Sequence, residues 1–195
     1  VADIYWAGNT GLMGINRFDS LGVKRWSKIF SLRSLSDGSS AVAYSICEVP
    51  GNGFIVAGGL YSAYFTFEPF LLRLSEEGDS LWCRKYSPYG DAKFVSVDVV
   101  GDQGFYVGGM ACTGRCNTLL MRLTPSGDTV WAREQYLEGE QGIFSVRTTA
   151  GGDVIVCGEN SVSMWQDSAR LMLRRYGRNG DMLWEKLIGD YRQAH

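Results

Sequence analysis

Leu72-Arg73-Leu74-Ser75-Glu76-Glu77-Gly78-Asp79-Ser80-Leu81-Trp82 decides how the rest of the chain is read, because its Gly-x-x-x-Trp core returns at fixed spacing. The other copies are Gly22 to Trp26, Gly127 to Trp131 and Gly180 to Trp184. An arginine stands five residues before each glycine: Arg17, Arg73, Arg122 and Arg175. A base stands two residues after each tryptophan: Lys28, Arg84, Arg133 and Lys186. Further upstream a second glycine closes an apolar run in every copy, at Gly8, Gly58, Gly109 and Gly158. Thirteen residues before the last three of these stands a serine: Ser45, Ser96 and Ser145. So many positions in register mark an internal repeat with a period of about 50 residues.

Each period holds four short runs rich in apolar and β-branched residues, bounded by Gly, Asp, Asn or Ser. In the last repeat they are Ile143–Ala150, Val154–Gly158, Leu171–Tyr176 and Met182–Ile188, here termed strands A to D. The A–B connections (Pro50 to Gly53, Gly101 to Gly104, Gly151 to Asp153) and the C–D connections (Ser75 to Gly78, Thr124 to Gly127, Gly177 to Gly180) read as hairpin turns. In these, glycine supplies the positive φ that other residues resist. Four antiparallel strands per period of this length predict an all-β chain built as a β-propeller of about four blades. The blades fall at approximately 1–35, 36–90, 91–140 and 141–195 of a single domain or segment. The recurrent tryptophan then fills the wedge between blades, and the aligned arginines are expected to brace that region through carbonyls or carboxylates. A role repeated in every blade is architectural.

The pattern resembles the blade repeats of quinoprotein-like propellers, whose docking motif also ends Gly-x-x-x-Trp. It resembles still more closely the short repeats of large secreted or surface proteins of bacteria. Those have a glycine-rich turn, an apolar strand ending Ala-Gly, and a Lys/Arg-Leu-Asp-x-x-Gly-x-x-x-Trp unit, which Phe54 to Gly58 and Leu72 to Trp82 match. The resemblance covers essentially the whole chain and specifies fold far better than function. The sialidase-type Asp-box matches less well, since its glycine and tryptophan are one residue closer.

The first repeat opens directly on strand B at Asp3, so the first blade lacks its innermost strand and the count is fifteen strands. The strand-A serine due fourteen residues after Trp184 falls at 198, past His195. The chain is therefore expected to be part of a larger propeller, completed by further blades of the same or a partner chain. The alternative is a four-bladed ring with one strand missing. No leader precedes Val1, which implies a removed leader or a longer parent chain.

Net charge is −2, so the basic excess of a nucleic-acid binder is missing, and no apolar run reaches the length of a membrane-spanning helix. Five cysteines cannot all pair with one another. Cys112 and Cys116 lie close enough for a local disulfide, whereas Cys47, Cys83 and Cys157 sit in predicted strands as small buried residues. The lone histidine, His195, is terminal, which removes Ser-His-Asp and Cys-His mechanisms and most zinc sites. Glu76, Glu77, Glu138 and Glu140 flank turn glycines and read as solvated surface. No catalytic residue, cofactor or metal is expected.

The interval from the strand-B glycine to the C–D glycine is 14, 20, 18 and 22 residues in the four repeats, while other intervals are nearly constant apart from a five-residue extension in the first D–A connection. In propellers the B–C and D–A loops share one face, and variation confined to them marks a specialised face. The rings assigned to that face are Tyr61, Tyr64, Phe65, Phe67, Tyr86, Tyr89, Tyr136 and Trp165. These features predict a non-enzymatic binding or scaffold module, secreted or on a cell surface, that presents its loops to a protein or glycan. The alternative is part of a propeller enzyme, a glycan-active hydrolase or lyase or a quinoprotein-like oxidoreductase, with active residues partly outside this segment.

Overall fold

The computed structural model describes residues 2–6, 12–32, 40–61, 66–86, 91–135, 139–161 and 169–189. Among them there is no helix, and fifteen strands form four sheets. Sheet 1 holds β1 (Ala2–Trp6), β2 (Leu12–Phe18) and β3 (Lys24–Ser31). Sheet 2 holds β4 (Ser40–Glu48), β5 (Phe54–Tyr61), β6 (Phe67–Leu74) and β7 (Ser80–Lys85). Sheet 3 holds β8 (Asp91–Val99), β9 (Phe105–Cys112), β10 (Cys116–Leu123) and β11 (Thr129–Gln135). Sheet 4 holds β12 (Glu140–Thr148), β13 (Val154–Ser161), β14 (Ala169–Tyr176) and β15 (Met182–Ile188). In every sheet the strands lie in chain order, and each of the four sheets falls within one repeat period.

The Gly-x-x-x-Trp turn has the same construction in all four sheets. The register slips by one residue directly after Arg17, Arg73, Arg122 and Arg175, and the motif glycines take φ of 77°, 81°, 86° and 83°. A positive-φ glycine beside a strand irregularity is the bulged-hairpin solution to a turn too long for two residues. In the Gly78 turn, Ser75 N–H donates to the Asp79 carbonyl at 2.9 Å and Gly78 N–H to the Ser75 carbonyl at 3.1 Å. The side chains of Asp19, Ser75 and Thr124 accept turn N–H groups in their own copies.

Strand A is bulged too. Between Ala43 and Ser45, and again between Ile143 and Ser145, one residue (Tyr44 or Phe144) is left unpaired. The bulge brings the Val42 carbonyl within 2.1 Å of where a Cβ on Gly58 would lie, and the Gly142 carbonyl within 1.9 Å for Gly158. That close approach is why strand B carries its glycine there.

The chain divides into two compact units, residues 1–94 and 95–195, with the boundary inside β8. In the first, Met13 and Ile15 of sheet 1 join Phe54, Val56, Phe70 and Leu72 of sheet 2 in one core. In the second, Tyr106 and Leu120 of sheet 3 meet Val154, Val156, Met172 and Tyr176 of sheet 4. β8 and β12 are linked by side chains: Ser96 Oγ accepts Val146 N–H at 3.1 Å and Asp98 Oδ2 accepts Thr148 N–H at 2.6 Å. β12 is an edge strand, and these acceptors satisfy N–H groups that its ladder leaves open.

The strands of the last repeat run three residues further into the loops than their apolar signature, because Glu140-Gln141-Gly142 pairs with Glu159-Asn160-Ser161. Backbone pairing there needs no apolar side chain.

Candidate functional site

Two kinds of site emerge: the repeated contacts that join sheets within each unit, and an aromatic cluster at one end of sheet 2. In the first unit the Trp26 ring lies over the Gly78 turn, where a Cβ on Gly78 would come within 3.0 Å of three ring carbons. Its Nε1–H donates to the Glu76 carbonyl at 2.8 Å. In the second unit Trp131 repeats this on the Gly180 turn, with Nε1–H donating to the Arg178 carbonyl at 2.8 Å. The motif glycine therefore serves twice, as the positive-φ residue of its own turn and as the seat for the preceding sheet's tryptophan. The base two residues on completes the contact. Lys28 Nζ meets Asp79 Oδ1 at 2.8 Å, and Arg133 donates to the Gly180 and Asn179 carbonyls at 3.1 and 3.2 Å.

The aligned arginines mostly brace the A–B turn of their own sheet. Arg73 donates to the Phe54 carbonyl at 3.0 Å and to the Asn52 carbonyl, and Arg122 donates to Phe105 and Gln103 at 3.4 and 2.8 Å. Both guanidiniums are buried, which pulls their proton affinity below the usual arginine value. Arg175 reaches the Asp153 carboxylate at 2.7 Å, and Arg17 donates across to the Glu76 carbonyl at 2.7 Å.

The aromatic cluster combines sequence-selected and unselected residues. Tyr61 and Phe67 face each other across the β5–β6 ladder with ring centroids 5.0 Å apart. Lys93 Nζ sits 5.2 Å from the Phe67 centroid and 5.4 Å from that of Tyr44, the exposed bulge residue of β4. Partial burial pushes the Tyr44 hydroxyl above its ordinary proton affinity. Gly59 makes room, since a Cβ there would lie 2.8 Å from Phe67 Cδ1 and 3.2 Å from Lys93 Cβ. Asp91 Oδ1 accepts Phe67 N–H at 2.7 Å and fixes the start of β6. The arrangement offers two half-exposed rings, one exposed ring and a cation, which suits stacking on a flat apolar or sugar face.

Tyr86 does not join them; it is buried against Phe94 at 5.4 Å and serves the core. Tyr64, Phe65, Tyr89, Tyr136 and Trp165 lie outside the described residues, as does His195. Tyr44 and Lys93 were not singled out by sequence reasoning. An aromatic directly before the strand-A serine, as in Tyr44-Ser45 and Phe144-Ser145, is the signal that finds the bulge ring.

Cys112 and Cys116 are joined in a disulfide that closes the β9–β10 hairpin across Thr113-Gly114-Arg115. Cys47, Cys83 and Cys157 are not in disulfides, and burial pushes Cys83 up to about 12 against a smaller opposing effect of the Arg84 backbone. Among the described residues, no group of three or more His, Cys, Asp or Glu is placed to hold a metal ion. The one fully buried charge among them, Arg174, is spoken for: Nε donates to Glu185 at 2.5 Å, Nη1 to Thr118 Oγ1 at 3.3 Å and Nη2 to Gln141 Oε1 at 3.1 Å. It is a structural tie between sheets 3 and 4. No protein-family model matches the chain, and no curated protein matches it.

Proposed function

We propose that the four sheets are blades of a β-propeller and that the chain is a non-enzymatic binding or scaffold module, which presents its B–C and D–A loops to a protein or glycan. The observation that carries this reading is the Tyr44, Tyr61, Phe67 and Lys93 cluster, which sits where the B–C loop leaves sheet 2. One exposed ring and two part-exposed rings beside a cation support reading this end of sheet 2 as a contact surface. The propeller arrangement is supported by the chain-order sheets and by the repeated seating of one sheet's tryptophan on the next sheet's turn. Secretion or display at a cell surface is supported by the Cys112–Cys116 disulfide, since such bonds persist in oxidising compartments. Further blades, of the same or a partner chain, complete the assembly in this reading.

The test is an immobilised panel of oligosaccharides and surface proteins probed with the chain, its Phe67→Ala variant and its Tyr61→Ala variant. Partners retained by the wild-type chain should be held at least tenfold less well by either variant, because truncating a hot-spot ring costs more than about 1.4 kcal/mol. Partners that bind all three proteins equally would place the contact surface elsewhere and refute the assignment.

A further inference from the structure

Side chains that recur in every repeat are architectural; a combination found in one repeat alone answers to something else. Tyr44, Tyr61, Phe67 and Lys93 form such a combination, and all four lie in the unit of residues 1–94. Counted from the strand-A serine, the place of Lys93 holds Val42 in sheet 2 and Gly142 in sheet 4. The place of Tyr44 holds Val95 in sheet 3 and Phe144 in sheet 4. The cross-strand pair of Tyr61 and Phe67 has its counterparts in Cys112 with Cys116 and in Ser161 with Ala169. The fold is thus built elsewhere without these rings and without this cation.

Lys93 is a cation without an anion. It is half-buried, with Nζ 5.2 Å from the Phe67 centroid and 5.4 Å from that of Tyr44. Among the described residues it makes no hydrogen bond and no ion pair. Arg25, Lys28 and Lys85 of the same unit each meet a carboxylate. The carboxylates that flank the cluster in sequence are already engaged: Asp91 Oδ1 accepts Phe67 N–H at 2.7 Å, and Glu68 pairs with Lys85 at 3.0 Å. Ring faces fix the position of an ammonium group through their quadrupoles and leave its N–H groups unfilled. Tyr44, 38% exposed, also makes no hydrogen bond through its hydroxyl among the described residues.

A ligand that satisfies these side chains brings an anion for Lys93, a flat apolar face for the rings and a hydroxyl for Tyr44. A uronic acid has all three within one sugar, because its carboxylate is attached directly to a ring whose C–H face stacks on an aromatic. A glutamate or aspartate side chain brings the anion on a flexible stem and offers no such face. We propose that this end of sheet 2 binds an acidic oligosaccharide, with a uronic acid carboxylate on Lys93 Nζ and the sugar faces against Tyr44 and Phe67. The inference rests on the binding-module reading and chooses between the two partner classes that reading left open. The second unit supplies a control. A Cβ on Gly142 would lie 2.9 Å from Met110 Cε and 3.4 Å from Phe144 Cε1, so the exposed ring there has a thioether beside it in place of a cation.

Isothermal titration calorimetry of the 195-residue chain tests this with galacturonate, mannuronate and hyaluronan oligosaccharides, the methyl ester of whichever binds, and polyglutamate. At least one uronate should bind with a Kd of about 1 mM or tighter, and its methyl ester at least tenfold more weakly. Lys93→Gln should reproduce that loss and lose nothing further on esterification, since both changes remove one contact. Tyr44→Ala should weaken the uronate at least tenfold, and Phe144→Ala should leave it unchanged, each variant remaining folded by circular dichroism. Failure of all three uronates to bind at that level overturns the proposal. So does an ester held as tightly as its acid, or a loss in Phe144→Ala as large as in Tyr44→Ala. Polyglutamate held as tightly as the uronate overturns it in favour of an acidic peptide. Lys93→Gln on the immobilised panel separates the two readings. If partners lost by Phe67→Ala are kept by Lys93→Gln, the acidic sugar is the wrong ligand and the contact surface stands. If neither variant changes the retention of any partner, both readings fall.

Discussion

Replacing Gly78 with alanine puts a methyl group 3.0 Å from three carbons of the Trp26 ring, and replacing Gly22 puts the same group into open space. Both glycines hold nearly the same φ, 81° and 77°, in turns with the same hydrogen bonds, and both belong to the unit of residues 1–94. The backbone cost of an L-residue at positive φ, roughly 1–2 kcal/mol, is therefore common to the two variants. It is offset in both by about 0.4–1 kcal/mol from the stiffer unfolded chain. What differs is the tryptophan. Displacing it loses the 2.8 Å hydrogen bond to the Glu76 carbonyl, worth about 0.5–1.5 kcal/mol, and loosens its edge contact with Phe54 at 6.0 Å, worth about as much. Gly22→Ala should then cost about 1 kcal/mol or less and Gly78→Ala about 1–3 kcal/mol more. Urea unfolding at low protein concentration, followed by far-ultraviolet circular dichroism and tryptophan fluorescence, measures the difference. In the Trp26→Ala background the Gly78→Ala cost should fall to that of Gly22→Ala, because the partner it displaces is gone. Equal costs for the two glycines in the wild-type background, within about 0.5 kcal/mol, would refute the double role of Gly78.

Arg174→Met should lower the stability of the unit of residues 95–195 by about 3–5 kcal/mol, since Glu185, Thr118 and Gln141 lose a shared buried donor; Arg174→Met/Glu185→Met should recover part of it in the same urea experiment. Reduction of the Cys112–Cys116 disulfide, whose cysteines are four residues apart, should cost about 2 kcal/mol by loop entropy. That loss should appear as a lower urea midpoint for this unit and leave the other unchanged. Cys83, pushed by burial from an ordinary thiol value near 9.0 up to about 12, should be alkylated near pH 8 about a thousandfold more slowly than in urea, read by mass spectrometry after a short iodoacetamide pulse. The sign is set by the neutral thiol being the favoured folded form. Its contribution is complete below pH 9 and is lost as pH rises toward 12, so stability should fall across that window.

The strand content and the turn chemistry were legible because they are written at short range. Gly22, Gly78, Gly127 and Gly180 take the positive φ that their turns demand, and fifteen strands, the number expected, are found among the described residues. The seating of Trp26 on Gly78 was only half legible: repetition marked both residues as architectural, but not that one copy's glycine receives another copy's ring. That relation spans about one period and has no local trace. The aligned arginines were placed near the tryptophan contacts, whereas Arg73 and Arg122 are spent on A–B turn carbonyls seventeen to twenty-one residues away. Tyr86 was misplaced for a related reason. An aromatic just past a strand end has no periodicity to tell core from surface, and Phe94, which covers it, lies on the next strand. Tyr44 escaped notice because a bulge turns outward a residue that strict alternation would have paired.

The glycine that seats and the tryptophan that projects lie within the same five residues of every repeat. A duplication of one period therefore copies lock and key together, and a newly inserted sheet arrives fitted to the sheet before it and the sheet after it. Lengthening such a chain needs no matching change elsewhere.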